Sequence, residues 1–257
     1  MSAWTAAALG LAATAGLALL AWIASVPSRD VSVVDSAWGP MVAAPAFVFA
    51  TMAGTVGSRA TTILALCAAW ALRLSAYIAW RHRGEPEDRR YQAIRARNEP
   101  HFAWKSLYLV FGLQAVLAWV VALPLMAGVV AAAPWNGLDA IGIVLFVFGL
   151  AFEAVADAQL ARFKADPANR GRVMQAGLWR YTRHPNYFGE CCVWWGLWLV
   201  AEAAGAWWSI VSPLLMTVLL LKVSGVTLLE RDLAERRPGY ADYVRRTNAF
   251  IPGRPHP

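Results

Sequence analysis

Apolar runs of about twenty residues recur along this chain, the length that crosses a bilayer core. They leave few folds open. Seven are read at residues 3–25, 37–56, 60–81, 104–130, 138–161, 187–204 and 207–229. In hydrocarbon each backbone N–H and C=O must be satisfied within its own segment or in a closed barrel, so long runs of this kind are helices. The chain is 59% hydrophobic and 15% charged, with a mean hydropathy of +0.45. The expected fold is all-α: a polytopic integral membrane protein of seven transmembrane helices, one membrane domain over 1–257 with a first half, 1–135, and a second half, 136–257. The first run lacks the basic lead of a signal peptide, because no Lys or Arg precedes Arg29.

Charge placement sets the expected topology. Arg29, the seven cations from Arg81 to Lys105, the six from Arg162 to Arg183 and the six from Arg231 to Arg254 fall on one face of a seven-span arrangement. Arg59 falls opposite, and Arg73 and Lys222 fall within spans. The positive-inside rule then puts the N-terminus outside and the C-terminus in the cytoplasm. The loops opposite the basic face are short, so the machinery is expected to open to the cytoplasm. The net charge of +7 serves topology and contact with anionic membrane lipids. No nucleic-acid motif accompanies it, so nucleic acid is not an expected partner. Cys67, Cys191 and Cys192 lie within spans and match neither CxxC nor zinc spacing; they are read as packing residues, and no metal is expected.

Four constellations stand out. Glu153 and Asp157 are four apart on span five, followed by Gln159 and Arg162. A carboxylate there faces the protein interior or a cavity, as a structural ion pair with Arg162, Lys164 or Arg73, or as an acceptor for a cofactor's hydroxyls or amide. In 180–190, Pro185 suits a first helical turn. It places Asn186 and Glu190 on one face, with Arg180, Arg183 and His184 ahead of a positively polarised helix end. Head-group anchoring does not account for Asn186 and Glu190 inside the membrane. The third, 230–252, holds Glu230, Tyr240, Tyr243, Arg245, Arg246, Ile251 and Pro252, and resembles a basic juxtamembrane helix. The fourth lies in the first half. Asp35 and Trp38-Gly39-Pro40 open span two, and Trp70, Arg73 and Tyr77 lie on span three. Asp35 or Asp157 is the expected partner of Arg73. Arg83-Gly84-Glu85 and Asp88-Arg89-Arg90-Tyr91 either cap a phosphate or form a solvated loop. No GxGxxG, Walker A or HExxH motif occurs.

Arg183-His184-Pro185-Asn186-Tyr187-Phe188-Gly189-Glu190 resembles the steroid 5-alpha-reductase superfamily, most of all its bacterial, largely uncharacterised branch, and is related to the membrane sterol reductases. Gly177-Leu178-Trp179 with Tyr181, Trp194-Trp195-Gly196, Ala156 to Leu160 with Phe163-Lys164, and Tyr243 to Thr247 with Phe250-Ile251-Pro252 carry the same likeness. The resemblance implies a seven-helix reductase, in a bacterial inner membrane, that holds NADPH on the cytoplasmic side. Matched positions imply cofactor contacts at Asp157, Lys164, Arg172, Tyr181, Arg183, His184, Asn186, Tyr187 and Glu190, and at Arg83 on the phosphate side. The implied chemistry is hydride transfer to the C=C of an enone in an apolar, steroid-like or other lipid substrate, with help at the carbonyl oxygen. The first half would then serve the substrate and the second the cofactor. The steroid enzymes place a Glu on span two and a Tyr on span three near the carbonyl. Here Trp38 and Trp70 fall at those positions, which speaks against a standard 3-oxo-4-ene steroid and leaves Asp35 and Tyr77 as the expected catalytic groups. Isoprenylcysteine and phospholipid methyltransferases share an Arg-His-Pro-x-Tyr-x-Gly core but bind S-adenosylmethionine. Glu190 after Gly189 and the Asp157–Lys164 segment favour the reductases. The sequence does not give the oligomeric state.

Overall fold

A computed structural model describes residues 3–53, 56–223, 226, 230, 237 and 239–255. Residues 54 and 55 of the second apolar run, 224, 225 and 227–229 of the seventh, and Arg231 and Arg236 of the tail lie outside the described residues. The described residues are all-helical, without strands. Five helices are long and apolar enough to cross a membrane: α1 (Trp4–Ser28 within Ala3–Ser28), α2 (Val33–Met52), α3 (Ser58–His82), α5 (Phe102–Val121) and α7 (Gly137–Ala165). The sixth and seventh runs coincide with α8 (Pro185–Glu202) and with the shorter apolar helix α9 (Trp207–Val223). Asn186, Glu190 and Glu202 make α8 less apolar than the five.

Two compact units emerge, one of residues 1–135 with 201–209 and one of 136–200 with 210–257. In unit 1, α1, α2 and α3 pack in sequence, with Met41, Val42, Ile63, Trp70, Phe111 and Leu125 essentially inaccessible. α2 tolerates two internal prolines, Pro40 and Pro45. Pro45 has no N–H for the carbonyl four residues back. The hydroxyl of fully buried Thr14 on α1 reaches that carbonyl, of Met41, at 3.0 Å. The Thr14 hydroxyl thus satisfies an oxygen that hydrocarbon cannot. The fourth apolar run, expected as one span over 104–130, is two helices. α5 passes through a π-helical stretch at Leu107–Gly112, and Pro124 then sits in the first turn of α6 (Leu123–Val129). α2 begins at Val33 rather than 37, which puts Asp35 in its first turn.

In unit 2, Asn136 starts α7 with a capping box. Its side chain accepts from Leu138 N at 2.9 Å, and buried Asp139 accepts from Asn136 N at 2.9 Å. α7 and α8 then touch backbone to backbone. Cβ atoms built on Gly142 and Gly196 would each lie 2.6 Å from the other's carbonyl oxygen, and the same holds for Gly149 and Gly189. Glycines seven residues apart on both helices let them approach this closely, a small-residue seam suited to a membrane interior.

Candidate functional site

The seam brings together the two helices of unit 2 that carry buried polar side chains. Asp157, 4% exposed on α7, accepts from Asn186 Nδ2 on α8 at 3.2 Å. Asn186 Oδ1 accepts from Tyr187 N at 3.1 Å, which orients the amide at the start of the helix. Glu190, 5% exposed, lies one turn on and accepts from Trp194 Nε1 at 3.1 Å. Buried Glu153 lies one turn back from Asp157. Helix α8 begins at Pro185, as the spacing leads one to expect. Carboxylates and an amide thus line one buried face, a set able to accept from ligand hydroxyls and amides.

Ahead of α8, Arg183 and His184 are clamped rather than open. Arg183 Nε and Nη2 donate to both oxygens of Glu230 at 2.7 and 3.1 Å, and Nη1 donates to the carbonyls of Val244 at 3.1 Å and Thr247 at 2.5 Å. His184 Nε2 lies 3.0 Å from the same Glu230 Oε1, and its ring stacks on Tyr187 at 4° between planes. Burial pushes the Glu230 carboxyl up, but hydrogen bonds from His184 and Arg183 and the Arg183 charge outweigh it and bring the pKa to about 2. Burial, with the Glu230 charge, pushes Tyr240 on α10 (Tyr240–Arg246) up to about 12.

The C-terminal segment is strapped alongside. Arg183 N donates to Asn248 O at 2.9 Å, Thr182 Oγ1 to Phe250 O at 2.8 Å, and Gly253 N to Tyr181 O at 3.0 Å. Tyr243 donates to Trp179 O at 2.5 Å. Gly177 has a φ of +60°, a region that favours glycine. A Cβ there would also strike the Gln159 side chain at 2.5 Å, and that side chain accepts from Leu178 N at 2.9 Å. Between turn and strap opens a cavity of about 640 Å³ lined by Gln175, Ala176, Gly177, Arg180, Arg246, Thr247 and Pro255. Gln159, two residues after Asp157 on α7, props its edge. Lys164 and Arg172 are exposed, as is Tyr181 at 44%. The Arg172 carbonyl accepts from Arg237.

The first-half candidates lie in unit 1. Asp35 accepts from Arg90 Nη2 at 2.8 Å and from the Tyr91 hydroxyl at 2.6 Å, and Gln114 Nε2 donates to that hydroxyl at 3.0 Å. The Tyr77 ring lies 6.0 Å from that of Trp80, tilted by 37°, with the Arg81 guanidinium 5.6 Å from the Tyr77 ring. Arg83 ends α3, exposed. The Asp88–Tyr91 segment is no solvated loop. Asp88 caps α4 (Arg89–Asn98) by accepting from Arg90 N at 2.9 Å, and Arg90 bridges Asp88 and Asp35. Burial raises the Asp88 carboxyl, but the Arg90 hydrogen bond and charge pull it below its ordinary range. The motif reading names Tyr91 and Glu230 without their partners, and passes over Gln114 and the glycine seam. Glycines at a seven-residue spacing on two successive spans were the available signal for the seam.

The family profile described as "Protein of unknown function (DUF1295)" matches residues 21–247. The chain therefore belongs to that family, which is steroid 5-alpha-reductase-like. An uncharacterised protein of the fission yeast Schizosaccharomyces pombe is 27% identical over 264 residues, covering 90% of this chain and 75% of that one. A probable O-methyltransferase, ustE, of Ustilaginoidea virens is 40% identical over 52 residues, 20% of this chain and 18% of that one. No solved structure gives a significant match.

Proposed function

We propose that this member of the DUF1295 family is a membrane-embedded, NADPH-dependent reductase that transfers hydride to the activated C=C of an apolar, steroid-like or other lipid enone. The observation that carries the reading is the hydrogen bond from half-buried Asn186 to buried Asp157, with buried Glu190 one turn on, in the same unit as a cavity whose lining bears two arginines and no carboxylate. The residues fit a dinucleotide phosphate. Buried acceptors suit ribose hydroxyls and a carboxamide, and exposed Lys164 and Arg172 suit phosphates. When bound, NADPH supplies the hydride.

Each residue then has a definite task. Asp157 and Glu190 accept from the cofactor's polar groups, and Asn186 is oriented for the same purpose by its bond to Tyr187 N. Tyr181 and Tyr187 offer aromatic faces, and Arg83 adds a phosphate-side charge. Arg183 and His184, tied to Glu230, hold the entrance of α8 in place. In the first half, Tyr77 gives a proton or hydrogen bond to the acceptor's carbonyl oxygen. Asp35, whose oxygens accept from Arg90 and Tyr91, takes the polarising role in that half through those two bonded groups. The proposed setting is a bacterial inner membrane crossed seven times, α8 and α9 completing the set, with the N-terminus outside and the site facing the cytoplasm.

The experiment is equilibrium NADPH binding to purified full-length protein. Asn186→Ala and Glu190→Ala should each weaken binding roughly 10-fold or more in protein that is still folded at the temperature of the assay. Unchanged affinity in both removes the argument. A second reading, an S-adenosylmethionine-dependent membrane methyltransferase, draws on the 52-residue likeness to ustE. It predicts that S-adenosylmethionine binds and NADPH does not.

A further inference from the structure

The cavity between the 175–180 turn and the C-terminal strap lies apart from the Asp157–Asn186 pair in its chemistry. Arg180, Arg246, Gln175 and Thr247 put donors on its wall, and no lining residue is acidic. Arg180 is exposed and makes no ion pair among the described residues. Arg246 is exposed, and its Nε reaches a carbonyl, Asp242 O, at 3.4 Å. The neighbouring carboxylate, Asp242, is taken by Arg245. Two guanidiniums on a donor-rich wall call for an anion with several oxygens.

Both rims are fixed before any ligand arrives. Gln159 holds Leu178 N, Tyr243 holds Trp179 O, Gly253 holds Tyr181 O, and Arg183 N holds Asn248 O. Arg180 stands within the first set of anchors and Arg246 beside the second. Preorganised rims of this kind let two exposed side chains act together, because the backbone between them does not have to order on binding.

We propose that this cavity is a phosphomonoester subsite in which Arg180 and Arg246 clamp a terminal, dianionic phosphate. It rests on the reading of unit 2 as a dinucleotide site and adds that the discriminating contact is to a monoester phosphate, such as the 2′-phosphate of a nucleotide, rather than to the pyrophosphate. A lipid with a phosphomonoester head group presents the same chemistry.

The test compares adenosine 2′,5′-bisphosphate with adenosine 5′-monophosphate on the full-length chain in phosphatidylcholine nanodiscs. A parallel arm measures unfolding temperature in nanodiscs doped with phosphatidic acid. Wild type should bind the bisphosphate at least roughly 10-fold more tightly. Arg180→Ala and Arg246→Ala should remove that preference with 5′-monophosphate binding unchanged, and Arg180→Lys and Arg246→Lys should restore part of it. A stabilisation by phosphatidic acid that vanishes in both Ala variants, with no bisphosphate preference, assigns the phosphate to lipid. That outcome keeps the subsite and removes the support it lends to the nucleotide reading. If the bisphosphate shows no preference and phosphatidic acid no arginine-dependent effect, the subsite is overturned. NADPH binding equal to NADH binding would then show that the reductase reading survives it.

Discussion

Gly189→Ala separates a tight helix seam from an incidental glycine by the sign of its effect. Within a helix, alanine is worth about 0.5–1 kcal/mol more than glycine. A loosely packed Gly189 would therefore gain stability. The new Cβ instead falls 2.6 Å from Glu153 N, 2.6 Å from Gly149 O and 2.8 Å from Glu153 Cβ, all on α7. Ordinary contact begins near 3.4 Å. The obstacles are backbone and a β-carbon, which cannot swing aside, so α7 and α8 must part by roughly 1 Å. Overpacking of this kind costs about 1–3 kcal/mol, which outweighs the helical gain. The same displacement stretches the 3.2 Å Asn186–Asp157 bond, three residues away on α8, beyond hydrogen-bonding distance. Gly16→Ala on α1 is the control, because nothing lies within 4 Å of its Cβ. Thermal unfolding in one detergent, followed by tryptophan fluorescence, should place Gly189→Ala about 2–8 °C below wild type and Gly16→Ala above it. A Gly189→Ala protein as stable as Gly16→Ala would refute the seam and the site geometry built on it.

Three further outcomes follow from particular bonds. Glu230 has a folded-state pKa of about 2 against an ordinary 4.5, so its stabilisation is fully present above pH 4.5 and is lost as pH falls toward 2. Glu230→Gln should remove on the order of 3 kcal/mol at neutral pH and flatten acid unfolding across that window; an unaltered acid profile would count against the clamp. Tyr91→Phe removes the 2.6 Å bond to Asp35 and the acceptor for Gln114; tryptic cleavage at exposed Arg97 on α4 should quicken several-fold, and an unchanged rate would show that the bond does not hold that helix. Thr14→Val strips the donor from the Met41 carbonyl that Pro45 leaves open and should cost about 1–3 kcal/mol, whereas Thr14→Ser should stay near wild type; equal losses would point to packing instead.

The legible part of the fold is what short sequence windows encode. Apolar length marks the membrane helices, and Pro185 marks where α8 begins. Asn186 and Glu190, four apart, share a face of one helix as their spacing requires. The illegible part depends on partners far along the chain. Arg183 beside His184 and a helix start reads as an open anion site. Its partners Glu230, Val244 and Thr247 lie 47 to 64 residues away and occupy its guanidinium. Asp35 reads as a lone acid near Arg73, yet Arg90 and Tyr91 hold it from a helix that looks like a polar loop until Asp88 is recognised as its cap. The break at Pro124 was visible as a proline, but an unbroken apolar run masks it. Gly142, Gly149, Gly189 and Gly196 carry no chemistry of their own, and their meaning appears only when two helices are set side by side.

Purified protein carries with it whatever small molecule unit 2 binds tightly. The most direct measurement is to purify the protein in mild detergent without added nucleotide, denature it, and identify the released small molecules by mass spectrometry. NADPH or NADP⁺ is the expected product. Release of S-adenosylmethionine or its demethylated product would contradict it and reassign Asp157, Asn186 and Glu190 to a methyl-donor site.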